Sequence, residues 1–148
     1  EIEKLRINKD VEELIIWEIN SAGILIKIAY EVLSGEIAAK NKKYNEAIAH
    51  LKKAVELEYT LRYDEPPTWF YPCSQNLGAV LIEAGKYAEA EKVYLKNLED
   101  VPENGWALFG LHQSVLKQNR IDEAAEIQKR FNEAWKNADV TLTSSRIM

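Results

Sequence analysis

The chain has 148 residues, 47% apolar and 29% charged, with a net charge of −5. That is enough for one domain with its own core, and the acidic balance argues against nucleic acid or an anionic membrane surface as the main partner. The longest apolar run, Gly23–Val32, is interrupted by Lys27 and Glu31 and is too short to span a bilayer; no signal peptide is visible, and the single cysteine, Cys73, cannot form an internal disulfide. Ala, Leu, Glu and Lys dominate and β-branched alternation is missing, so the chain reads as all-α.

In chain order, a first helix is expected from about Lys9 to Asn20, capped by Asn8 or Asp10, with Ser21-Ala22-Gly23 as its break unless it runs through. Helices follow over about Ala22–Lys40 and Lys43–Tyr59. After a loop at Asp64-Glu65-Pro66-Pro67 come Tyr71–Ala84, Tyr87–Asp100, Gly105–Gln118 and Ile121–Asn137. The tail from Asp139 is expected to fray or add a short turn. The chain starts at Glu1 rather than Met, which reads as a fragment or a processed form; its compartment stays open, with the cytoplasm favoured.

Three stretches repeat. Residues 35–47, 78–90 and 112–124 each end one helix, turn tightly and begin another. Their turn-closing residues, Tyr44, Tyr87 and Ile121, are 43 and 34 residues apart. A small residue recurs early in each second helix (Ala47, Ala90, Ala124), and Gly35 and Gly78 hold a second small position on the first helix, where the third copy has His112. A 34-residue helix–turn–helix period with these small positions, and Pro102 closing the second copy, resembles the tetratricopeptide repeat. The longer interval is the same period plus the insertion at 62–70. The resemblance implies an α-solenoid of about three units with an extra N-terminal helix: 1–27 the N-terminal helix, 28–61 repeat one, 62–70 the insertion, 71–104 repeat two, 105–138 repeat three and 139–148 the tail. Leu61–Pro72, Pro102–Leu111 and Ala134–Asp139 are further similar to the C-terminal part of longer bacterial tetratricopeptide proteins, a group that carries no settled biochemical function.

In that family the first helix of each pair lines a concave face. Helical spacing puts Ala29, Val32, Glu36 and Lys40 on it, then Pro72, Gln75, Ala79 and Glu83, then Trp106, Phe109, Gln113 and Lys117. The candidate groove residues are therefore Glu36, Lys40, Gln75, Glu83, Trp106, Phe109, Gln113 and Lys117, a mixture suited to a peptide or a partner helix. The alternative for Trp106 and Phe109 is packing under the insertion, away from any ligand. The family's well-known clamp for a C-terminal carboxylate does not fit: Val32 and Glu36, and Trp106 and Gly110, stand where its basic and amide residues would be, and only Asn76 matches. The insertion offers Tyr63, Asp64, Glu65 and Trp69 as a lip over a ligand, or Trp69 as the plug of a structural strap.

Catalysis has little in its favour. His50 and His112 lie in different repeats without ligand partners at metal spacing, Cys73 reads as a small buried hydrophobe, and no Gly-rich phosphate loop is present. No cofactor or metal is expected. The Ala22–Lys40 helix is apolar on more than one face. Val11, Leu14, Ile15, Trp17 and Ile19 are expected to cover one side, leaving the Ile24–Leu33 surface for missing upstream repeats or a second copy. Two functions follow as expectations: a non-catalytic scaffold that binds a protein or peptide in its groove, or the structural C-terminal piece of a larger enzyme or metal protein whose active groups lie upstream. A small-molecule site under the Tyr63–Pro72 lip is the third and weakest.

Overall fold

A computed structural model describes residues 1–146; Ile147 and Met148, the end of the assigned tail, lie outside the described residues. The fold is all-α, with eight helices and one two-stranded β-ribbon among the described residues, and it divides into two compact units, Glu1–Cys73 and the remainder from Ser74.

In the first unit, α1 (Ile2–Arg6) and α2 (Lys9–Glu13) precede a ribbon of β1 (Ile15–Ile16) and β2 (Asn20–Ser21), then α3 (Ala22–Lys40) and α4 (Tyr44–Glu58). Asn8 caps α2, its side chain accepting from the Asp10 and Val11 N–H groups. The single helix expected over Lys9–Asn20 is corrected: it stops at Glu13, and β1 pairs antiparallel with β2, Ile15 opposite Ser21 and Ile16 opposite Asn20. The reversal is a tight turn with Trp17 and Glu18 at positive φ (49° and 63°), the turn hand that suits a two-stranded ribbon. Ser21 then caps α3, which has the expected bounds.

The cover expected for α3 is corrected in part. Leu14, Ile15 and Trp17 point to solvent, while Val11 and Ile19 are half-buried; it is α1 and the Val11-bearing α2 that pack on α3. At Gly23 a Cβ would come within 2.8 Å of the Glu12 backbone, so only glycine lets α2 approach this closely. Behind this layer α3 runs along α4. Gly35 faces Leu51, and Ala47 is fully buried beside them. The core gathers Ile28, Val32, Ala54 and Cys73, with Leu25, Val55, Leu57, Leu61 and Trp69 packed around it.

The second unit is built from α5 (Cys73–Glu83), α6 (Tyr87–Asp100), α7 (Gly105–Leu116) and α8 (Ile121–Ala134). Here α6 packs on α7 and α7 on α8, around Leu81, Ala90, Leu108, Leu111, Val115, Ala124 and Ile127. The repeat is visible in the backbone. Lys42, Gly85 and Asn119 all adopt positive φ, at 60°, 73° and 60°. In each turn the next residue's N–H bonds back five positions: Lys43 to the Ala38 carbonyl, Lys86 to Leu81 and Arg120 to Val115. These are three copies of one helix-ending motif, and only the middle copy uses glycine.

The tail does not fray over its described residues, 139–146. Trp135 Nε1–H donates to the Val140 carbonyl at 2.7 Å, and Leu142, Ser145 and Arg146 are buried.

Candidate functional site

Tyr94 organises the second unit. It lies on α6, fully buried, with its ring gripped between two glycines. A Cβ on Gly78 would sit 2.3 Å from the ring, and one on Gly110 would sit 2.2 Å from it. Both backbones approach because neither residue has a side chain. Gly110, rather than His112, is thus where α7 closes on Tyr94. Burial pushes the Tyr94 phenol well above its usual range, so its hydroxyl stays neutral and shares a short hydrogen bond with Ser145 Oγ. One turn on, the Asn97 amide donates to Ser74 Oγ at 2.9 Å, tying α6 to α5.

The described part of the tail crosses this surface and reaches α5 through Arg146. The Arg146 guanidinium reaches Glu83 Oε1 at 2.7 Å; the arginine side chain is 6% exposed and the glutamate 39%. A cavity of about 170 Å³ lies alongside, lined by Ala79, Ile82, Glu83, Gln113 and the tail residues Thr143, Ser144 and Ser145. Ala79, Glu83 and Gln113 are three of the positions that helical spacing puts on the concave face.

The other candidate groove residues fall elsewhere. Gln75 is buried and donates to Asn104 Oδ1 at 3.4 Å, while the Asn104 carbonyl oxygen also caps α7. Trp106 and Phe109 are half-buried against α8. Trp106 meets Trp135 edge-on at 5.7 Å, Phe109 meets Phe131 at 5.7 Å, and Phe131 stacks on Trp135. Gly105 leaves the space that the Trp135 ring fills. Lys117 is exposed just beyond α7, and in the first unit Glu36 is half-buried on α3 with Lys40 exposed at its end. The residues of this contact that sequence reading missed are Tyr94 and the tail's Leu142, Ser145 and Arg146. The spacing of Gly78 and Gly110 carried a signal for Tyr94, and nothing local marked the other three.

The insertion is held from the ribbon. The Asn20 amide donates to the Arg62 carbonyl at 3.1 Å and to Thr68 Oγ1 at 3.0 Å, and the Arg62 N–H donates to Asn20 Oδ1 at 2.9 Å. Thr68 donates in turn to Asp64. Trp69 packs on the first unit's core, while Tyr63 is exposed and its hydroxyl donates to Glu65. Glu65 and Trp69 line a cavity of about 260 Å³ with Glu58, Leu61 and Asp64 among its other walls.

Groups with catalytic potential are occupied structurally. The Cys73 thiol is fully buried, and burial beside the Glu58 carboxylate pushes it well up, which suppresses the nucleophilic thiolate. His50 Nδ1 lies 2.6 Å from Glu31 Oε2, and burial holds the His112 imidazole below its usual range. Among the described residues no three His, Cys, Asp or Glu side chains converge as a metal site would require, and no helix is long and apolar enough to cross a membrane. What the second unit does offer is a preset hydroxyl, a carboxylate and an apolar floor that together hold a non-helical segment of chain. No model of a known protein family matches this chain, and no match was found among curated proteins.

Proposed function

We propose that this chain is a non-catalytic interaction scaffold, a helical repeat of the tetratricopeptide type, and that the second unit is where it holds a peptide. The supporting observation is the tail itself: a segment with no helix or strand lies on residues of α5, α6 and α7, with Leu142, Ser145 and Arg146 buried. A surface able to order such a segment is suited to a non-helical stretch of another protein. The test is a displayed-peptide selection on the full chain carrying Arg146→Ala, which loosens the tail. Enriched peptides should lose binding when Glu83→Arg is added, and a selection that returns no Glu83-dependent peptide overturns the reading.

A second reading draws on the first unit, where Leu14, Ile15, Trp17, Leu33 and Ile37 are all at least 48% exposed. Apolar surface of that extent favours a structural piece of a larger protein, or self-association through α3. Sedimentation of the full chain as a stable monomer at high concentration would count against it.

A further inference from the structure

We propose that the tail is an internal copy of the ligand. The seat on the second unit would take, from a partner protein, a non-helical segment with an aliphatic residue followed three and four positions later by serine and arginine, and the tail fills the seat until that partner displaces it. This inference rests on the peptide-binding reading above.

Three observations carry it. First, the seat grips the tail through side chains that carry sequence: Leu142 is buried, Ser145 bonds Tyr94, and Arg146 pairs with Glu83. Second, the receiving hydroxyl is set independently of the tail: the Tyr94 ring is fixed by Gly78 and Gly110. Glu83, the receiving carboxylate, closes α5. The cation is the buried member of its pair, 6% exposed against 39%. That arrangement selects arginine over lysine, because a guanidinium is weakly hydrated and matches a carboxylate in geometry, whereas an ammonium holds its water tightly. Third, open space adjoins the described tail residues. The adjoining space of about 170 Å³ is bounded by Gln113 and Glu83 on one side and by Thr143, Ser144 and Ser145 on the other. A volume of about 150 Å³ accepts a benzene ring, so a partner with a larger side chain at the tail's small residues gains contacts that the tail lacks. Such a gain is needed, since a tethered segment competes at an effective concentration of about millimolar.

The test uses the full chain and a fluorescent peptide with the sequence of residues 139–146, amidated at its C-terminus so that no extra carboxylate meets Glu83. The chain carrying Arg146→Glu, whose tail repels Glu83, should bind this peptide about tenfold more tightly than the unaltered chain, because its seat is vacated. Glu83→Arg in the otherwise unaltered chain, which repels Arg146 and so vacates the seat, should fail to bind this peptide and should bind one with glutamate in place of the arginine, whereas combining it with Arg146→Glu re-forms the tail's own pair and should close the seat to both. Equal affinity for the altered and unaltered chains, or affinity indifferent to Glu83→Arg, overturns the proposal. So does light scattering that shows the unaltered chain as a dimer and Arg146→Glu as a monomer, since tails would then be exchanged between copies. If Arg146→Glu unfolds the chain by circular dichroism, Leu142→Ala vacates the seat in its place, with the same outcomes. Glu83-dependent peptides without the serine–arginine pattern, from the displayed selection, would defeat this inference and leave the peptide-binding reading standing.

Discussion

The insertion at 62–70 and the tail at 139–146 are both irregular segments laid on helices, and they are held by different parts of the chain. Asn20 grips the insertion chiefly by its main chain, bonding both the N–H and the carbonyl of Arg62, with the Thr68 hydroxyl as a further side-chain contact. A clamp on the Arg62 main chain is indifferent to the side chain there, and Trp69 adds apolar packing to the first unit's core. That combination makes a strap. Beyond one bond from Trp135 to the Val140 carbonyl, the tail is held on the helices through the side chains of Leu142, Ser145 and Arg146. Contacts of that kind discriminate between sequences and can be exchanged for a better one. Fixed structure and selective seat thus differ less in how well ordered they are than in which atoms do the holding.

The largest expected effect separates the two. Gly110→Ala would place a methyl group 2.2 Å from a tyrosine ring that Gly78 blocks from retreating. The second unit should lose about 3 kcal/mol, at the upper end for overpacking a core. Because Tyr94 carries the Ser145 contact, hydrogen exchange should show the tail losing protection while the Arg62 amide keeps its own. Next comes Asn20→Ala, which strands the Arg62 N–H and carbonyl without their partner and should cost about 2–3 kcal/mol. Exchange at Arg62 should accelerate and Trp69 fluorescence shift to the red, with the tail unchanged. If either substitution released both segments together, the contrast between them would fail.

The same contrast explains which parts of the molecule were legible in the sequence. The α3 bounds and the three turns were readable because their signals are local: Ser21-Ala22-Gly23 as a break, small residues at fixed offsets, and a 34-residue period, lengthened once by the insertion, for Tyr44, Tyr87 and Ile121. The β-ribbon was not. Lys9–Asn20 is rich in residues that tolerate a helix, and what ends the helix is the demand on Asn20, whose amide serves a segment more than 40 residues away. The tail carries no periodicity at all, so its order comes from partners distant from it in the sequence, Tyr94 and Glu83, and from the Trp135 indole. Glu83 and Gln113 were found because helical spacing places them on one face. Trp106 and Phe109 share that spacing, yet their rings turn to Trp135 and Phe131, a choice set by the aromatic content of α8.

A smaller effect distinguishes the units by pH. Burial pushes the Glu91 carboxyl up, but the Arg120 guanidinium and the Gln118 amide outweigh it and hold the carboxyl below its usual range. Its partners join α6 to the α7–α8 turn. A carboxyl with a lowered folded value contributes stability above its unfolded value of about 4.3, and that contribution fades as pH falls through the folded value. The melting temperature should therefore fall between about pH 5 and pH 3 by a few degrees more in the unaltered chain than in Glu91→Gln. Glu3 is also held low by Arg6, but on the surface, where solvent screens the pair. Acid should accordingly loosen the tail's seat before the strap.

The smallest effect bears on the strap alone. Trp17 and Glu18 both adopt the left-handed conformation at the ribbon's turn, a geometry in which asparagine and glycine are far more at ease. Trp17 is 69% exposed, so its removal opens no core. Replacing the pair by Trp17→Asn and Glu18→Gly should stabilise the first unit by about 1 kcal/mol, less than the full left-handed penalty because glycine also gains freedom in the unfolded chain. β2 begins at Asn20, directly after the turn, so a better turn holds the amide in its clamping position for more of the time. Exchange at the Arg62 N–H should slow while exchange in the tail stays as it was. A loss of stability would instead mean that the Trp17 ring makes contacts the strap depends on.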